Sequence, residues 1–299
     1  MERAEVQSQP LSVPVLSWTR LVTTAIAHTT EHLYIGVVTV ALPVIAATMG
    51  LGMVQAGSLV SVRYLVAGIT NIPSGFLADL MPRRSSLLGL CLALLGLGSL
   101  LMSFAPGYWP LLIFMAISGL GTGGFHPQSL AILSAAYRDR RALALGVHDS
   151  AANLGEVIAP LTIGVLLTYT DWRTTLQIWA VPGLVVGLSY ALFCPEINPA
   201  PRRRELLKKL LWKDIIKNRS ILVMFFVSVF RTLGQSATTV FLPLYLPLDL
   251  KLPTAAMGFY ISTLFFFAGI SPAISGWISD RVGRMRLIVV GSALAAVSV

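Results

Sequence analysis

Eight long apolar blocks, separated by short polar breaks, constrain this chain more than any other feature. They run over approximately 21–47, 53–78, 86–106, 109–134, 143–169, 174–194, 220–247 and 255–279. Each exceeds the ~18 apolar residues that mark a bilayer crossing. A ninth block begins near Leu287, and the 13 residues from there to Val299 make about 20 Å of helix, short of a hydrocarbon core about 30 Å thick. The expectation is a chain cut inside a span. Composition agrees: 55% hydrophobic and 12% charged residues, with a mean hydropathy of +0.77. A soluble domain carries roughly 45–50% apolar and about 25% charged residues, so lipid is the solvent and the fold class is an all-α integral membrane protein. The opening segment carries Glu2, Arg3 and Glu5 without a compact apolar region or cleavage site, so the first span is expected to be retained. Cys91 and Cys194 suggest neither a metal site nor a disulfide framework.

The net charge of +9 raises the question of nucleic acid, and its distribution answers it. Taking the N-terminal tail as the first side, the Lys and Arg residues fall overwhelmingly on alternate breaks: Arg3 and Arg20, Arg83 and Arg84, Arg138 to Arg141, Arg202 to Arg219, and Arg281 to Arg286. The opposite breaks receive Arg173 and Lys251, while Arg63 and Arg231 lie within spans. The positive-inside rule then puts the N-terminus in the cytoplasm. A nucleic-acid patch needs those charges on one surface instead.

The chain divides into a cytoplasmic tail (1–20), a six-span half (21–194), a linker (195–219) and the beginning of a second half (220–299). In the linker, Leu207, Leu211 and Ile215 recur at four-residue steps, with Lys208, Lys209, Lys213 and Lys217 on the other side. That pattern predicts an amphipathic helix in the cytoplasmic headgroup layer.

Shifting the chain by 201 positions lays Gly57 on Gly258, Ser61 on Ser262, Ser74 on Ser275, Gly75 on Gly276, Asp79 on Asp280 and Arg83 on Arg284. Parallel six-span repeats, with substrate held between the halves, are an established transporter architecture. The run Gly75-Phe-Leu-Ala-Asp79-Leu-Met-Pro-Arg83-Arg84, and its copy Gly276-Trp-Ile-Ser-Asp280-Arg281-Val-Gly283-Arg284, resemble motif A of the major facilitator transporters; Leu80 and Pro82 depart from it. The resemblance implies a fold of 6+6 spans, of which about nine are represented. It also implies a latch in which glycine permits close helix contact and aspartate meets a helix N-terminus or an arginine. In span five, Gly146, Gly155, Ala159-Pro160 and Gly164 resemble motif C, which in the family accompanies export by antiport, with Ala159 and Ile163 in place of glycines. Ala27-His28-Thr-Thr-Glu31-His32-Leu33-Tyr34 and Gly121-Thr-Gly123-Gly124-Phe125-His126-Pro127 are similar to the fosmidomycin-resistance branch. Span four lacks the arginine typical of other proton-driven drug exporters.

Five charges fall within spans: Glu31, Arg63, Asp149, Glu156 and Arg231. At ~2.5–3.5 kcal/mol each, they are expected to face a cavity or one another. Asp149, Asn153 and Glu156 share one face of span five, bordered by His148. The repeat shift sets Glu31 within a residue of Arg231, predicting opposite charges at equivalent places facing the central cavity. Glu31, Asp149 and Glu156 are the candidate proton carriers. Arg63 and Arg231 are candidate counter-ions or anion ligands, with His28, His126 and Asn153 as polar contacts or relays; static ion pairs are the structural alternative. His28-Thr-Thr-Glu31-His32 also spells a zinc-peptidase pattern. No downstream acidic ligand helix accompanies it and it falls in a span, so no metal or cofactor is assigned. No phosphate-binding loop appears, and no enzyme activity is expected.

The expectation is a proton-coupled antiporter exporting a small drug-like or anionic compound, monomeric in the cell membrane. Two alternatives stay open: a proton- or anion-coupled importer of an organic acid or phosphate ester, and a membrane sensor without flux.

Overall fold

The computed structural model describes residues 18–137, 141–197 and 217–297. They form nine helices in chain order: α1 (Trp18–Met49), α2 (Met53–Leu80), α3 (Arg84–Ser103), α4 (Tyr108–Ala136), α5 (Arg141–Tyr169), α6 (Trp172–Phe193), α7 (Arg219–Leu248), α8 (Thr254–Val282) and α9 (Arg284–Val297). Eight are long and apolar enough to cross a membrane. α9 contributes 14 residues. The apolar blocks and the helices agree within a few residues, and the helices run longer because polar residues extend them past the apolar core. Arg20 lies in the first turn of α1, and its guanidinium reaches the Pro195 carbonyl at 3.4 Å.

Local chemistry fixes where the helices start. Asp171 accepts from the Arg173 and Thr174 N–H groups ahead of α6, and the Thr174 N–H and hydroxyl hold its carboxyl below the usual carboxylate range. Asn218 does the same for α7 through Ser220 and Ile221. The start of α3 is capped from a distance: the Glu196 carboxylate accepts from the Ser85 N–H at 2.8 Å and the Ser86 N–H at 2.9 Å. A carboxylate at the positive end of α3 thus ties the exit of α6 to it.

In the first half α3 packs between α4 and α6, α2 lies on α4, and α1 lies on α5. Helices pack in lipid through small residues and polar links rather than apolar transfer. Tyr34 on α1 shows this: its hydroxyl donates to the Trp179 carbonyl at 2.7 Å and accepts from the Gly183 N–H at 2.9 Å, fastening α1 to α6. The outward residues, among them Val54, Leu65, Trp109 and Phe193, are exposed, as a lipid-facing surface requires. α8 docks on α5, and α7 makes a lesser contact with α1, so the second half is joined to the first mainly along the α5–α8 seam. The amphipathic segment 201–219 and the tail lie largely outside the described residues.

Candidate functional site

α1 carries His28, Glu31 and His32 on adjoining turns, α4 brings His126, and α5 brings His148 and Glu156. His28 is 3% exposed, and its Nδ1 lies 2.7 Å from the His148 carbonyl. A carbonyl only accepts, so Nδ1 carries the proton. Nε2, the nitrogen left with a lone pair, is buried without a hydrogen bond. The His148 ring stacks on His28 with centroids 3.7 Å apart. His32 Nδ1 lies 2.9 Å from Glu156 Oε1, and His32 Nε2 lies 3.4 Å from Glu31 Oε2. Glu31 is 0% exposed, and neither carboxylate oxygen makes a hydrogen bond. Glu31, His32 and Glu156 therefore form a chain of ionisable groups from the interior of the first half to its surface.

That surface is the wall of a cavity of about 870 Å³, lined by α1, α2, α4 and α5 on one side and α7 and α8 on the other. Glu156, His126 and Arg63 line it, opposite Thr232, Ser236 and Thr239 of α7. Arg63 is 2% exposed; it donates to the Tyr34 carbonyl at 3.3 Å and to the Thr122 hydroxyl at 3.1 Å. Its third nitrogen, Nε, makes no hydrogen bond. Thr122 and Tyr34 fall within the two strings compared above but carry no role there, since neutral residues gain their roles only from a neighbour on another helix.

Three site expectations need correction. Glu31 does not line the cavity; it lies behind His32, on the side of α1 that faces His126 of α4 and Cys91 of α3. Asp149 is exposed and does not line the cavity, since it sits two helical turns, roughly 10 Å, from Glu156. Asn153 faces α8: a Cβ on Gly269 would meet its side chain at 3.1 Å. The side chain of Arg231 lies outside the described residues, as do those of Asp280, Arg281 and Arg284 and the surroundings of Gly276.

In the first motif A copy, Arg84, 1% exposed, is the partner of Asp79, at 3.9 Å, and its Nε donates to the Ala78 carbonyl. Arg83 is exposed. A Cβ on Gly75 would meet nothing within 4 Å, so the close contact expected there is absent among the described residues. Gly75 and Asp79 instead border a cavity of about 190 Å³, with Arg141 and Pro127. The second copy turns through Gly283 at φ +96°. Its repeat equivalent is Pro82, whose ring holds φ near −65°, so the two turns cannot share a backbone path.

The motif C positions divide similarly. A Cβ on Gly155 would collide with the Thr29 carbonyl of α1, and one on Gly164 would meet the Thr254 carbonyl of α8 at 2.7 Å. Ala159 stands where a glycine was expected, and the close approach is provided from the other side: Gly36 of α1 lies where a Cβ would be 2.5 Å from Ala159 Cβ. Pro160 is interior to α5 and its carbonyl lies against Gly258 of α8. Gly146 is exposed, with nothing within 4 Å of a Cβ.

The Major Facilitator Superfamily sequence profile matches residues 24–299. Among curated proteins, the multidrug resistance protein MdtG of Proteus mirabilis (strain HI4320) is 25% identical over 78% of this chain and 59% of its own length. The fosmidomycin resistance protein of Escherichia coli (strain K12) is 21% identical over 96% of this chain and 73% of its own. A solved bacterial homologue of the human lysosomal transporter Spinster superposes with a TM-score of 0.75 at 19% identity, over 88% of this chain and 62% of that one. The chain thus spans about three fifths of the first relative and of the solved transporter. With the profile matched across both halves, and a helical fold shared with that transporter, the chain belongs to the Major Facilitator Superfamily.

Proposed function

We propose that this chain is the larger part of a secondary active transporter of the plasma membrane, N-terminus cytoplasmic, that exports a small drug-like or anionic compound in exchange for protons by alternating access. The observation that carries the reading is the Glu31–His32–Glu156 chain ending on the wall of the ~870 Å³ cavity. A carboxylate there can meet a proton or a cationic group of a substrate, but not both at once, which is the competition that exchange requires. Support for export comes from the motif C resemblance, whose Gly155, Pro160 and Gly164 lie in the contacts of α5 with α1 and α8, and from the drug-resistance names of two relatives. Asp149 remains a candidate for the same coupling, Arg231 for a counter-ion or anion ligand, and Asp79 with Arg84 for the conformational latch.

The test uses the complete protein in inside-out vesicles with an acid interior, a panel of drugs and organic anions, and a pH-sensitive dye. Collapse of the gradient by one compound, reduced at least tenfold by Glu156→Gln or Glu31→Gln, is expected. A second reading, an importer of an organic acid or phosphate ester, is favoured by one observation: the positively charged Arg63 lines the cavity. Inward accumulation of a labelled organic anion, lost in Arg63→Gln and without gradient collapse by any drug, would replace export by import.

A further inference from the structure

His28, Glu31, His32 and His126 each bring one ligand atom to a common point, all within 4.8 Å of one another. The ring centroids of the three histidines lie 4.7, 5.3 and 6.0 Å apart. A tetrahedral zinc-type ion, with bonds of about 2.0–2.1 Å, sets its donors roughly 3.4 Å apart. The widest separation therefore closes by at most about 1.4 Å, within reach of side-chain rotation.

Proximity alone does not make a site, and three further features point to a cation. The first is tautomer. A ligating histidine gives its other N–H to a carbonyl or carboxylate, which fixes the ring and directs the lone pair at the metal. His28 Nδ1 has the His148 carbonyl at 2.7 Å and His32 Nδ1 has the Glu156 carboxylate at 2.9 Å, so both present Nε2. The second is an unfilled demand: His28 Nε2 and both Glu31 oxygens are buried without a hydrogen bond. A fully buried carboxylate whose one ion-pair partner among the described residues is His32 Nε2, at 3.4 Å, is costly, and a bound dication between them offsets that cost directly. The third is access, since His126 also lines the large cavity. Three imidazoles with one carboxylate suit borderline first-row ions and disfavour magnesium or calcium, which take oxygen ligands.

We propose that His28, Glu31, His32 and His126 bind a divalent first-row transition cation of the zinc, cobalt and nickel class. Glu156 is the positioning residue behind His32, and the His148 carbonyl plays that part behind His28. The His28-Thr-Thr-Glu31-His32 spacing is thus read differently from the peptidase pattern. Glu31 joins the ligands, and a fourth comes from α4, so the tetrahedral set is complete without a vertex for an attacking water. Such a set holds an ion rather than hydrolysing a bond. The inference goes beyond the proton-coupled export reading and does not depend on it: the ion occupies Glu31 and His32, so a bound ion and proton uptake at those two groups exclude one another.

The test is Co²⁺ titration of the purified full-length protein, prepared without a polyhistidine tag, followed by visible absorption. The expected result is an intense tetrahedral ligand-field band that saturates at one ion per chain and is displaced by Zn²⁺. Glu31→Gln and His126→Asn abolish the band. Glu156→Gln leaves every ligand in place and weakens binding by about 10–100-fold, the range for loss of such a supporting contact. Apo-protein melting curves establish that each variant is folded. No saturable band in the unaltered protein overturns the proposal without reference to any variant, and so does a band unchanged in both Glu31→Gln and His126→Asn. Because binding is read at equilibrium without a gradient, its failure is separate from failure of the vesicle assay.

Discussion

Arg63 is the residue on which the cavity wall turns. Its guanidinium spans two helices, reaching Tyr34 on α1 and Thr122 on α4 from its own place on α2. Lysine keeps the charge but is a point donor on a flexible stem and cannot hold that fork. Arg63→Lys is expected to lower stability by about 1.5–3 kcal/mol, the worth of hydrogen bonds to a charged group, read as a shift of the detergent melting midpoint. A midpoint unchanged from the parent would mean that the two bonds contribute nothing. At this scale the helical spacing places residues on faces but does not say whom they meet. The seven-residue step from Asp149 to Glu156 placed both on one face of α5, as helical periodicity requires. Only the partner helices decide that Glu156 meets His32 while Asp149 is left exposed. The proton on His28 Nδ1 was illegible for the same reason: its acceptor is a backbone carbonyl on another helix, and any residue supplies one.

Among the elements, α5 has the most demanding packing. Gly155 lies where a Cβ would strike the backbone of α1, and Gly258 of α8 lies against the backbone of α5. Backbone cannot rotate away as a side chain can, so a methyl group there pushes helices apart. Gly155→Ala and Gly258→Ala are each expected to cost about 1–3 kcal/mol through overpacking. Gly146→Ala, with open space around it, is expected to be neutral or to stabilise by up to about 1 kcal/mol through helix propensity. Parallel thermal melts of the three variants check the ranking, and equal midpoints would refute it. Element existence and order were legible because each span is an apolar block bounded by turn residues. Which glycines touch was not, since Gly146 and Gly155 look alike in a one-dimensional pattern. Likewise the carboxylate cap on α3 comes from Glu196, about 110 residues away, and no local capping rule could have named it.

For the whole molecule, alternation of basic breaks predicts sidedness. With Cys91 and Cys194 replaced by serine, single cysteines at Arg83 and Phe104, both exposed, should report opposite faces. An impermeant maleimide should label position 83 only in inside-out vesicles and position 104 only in right-side-out ones; the reverse pattern would invert the topology. The seam between the halves has a mechanical consequence. Gly164 and Gly258 meet so closely that a Cβ on one would lie 3.0 Å from the other's Cα, with almost no side-chain cushion between the two backbones. Two rods touching along bare metal can roll over one another while their spacing stays fixed. On the alternating-access reading proposed above, such a bearing would let the walls lining the cavity swing apart on one side of the membrane as they close on the other, a few degrees of roll at the axis becoming a gate's width at either rim.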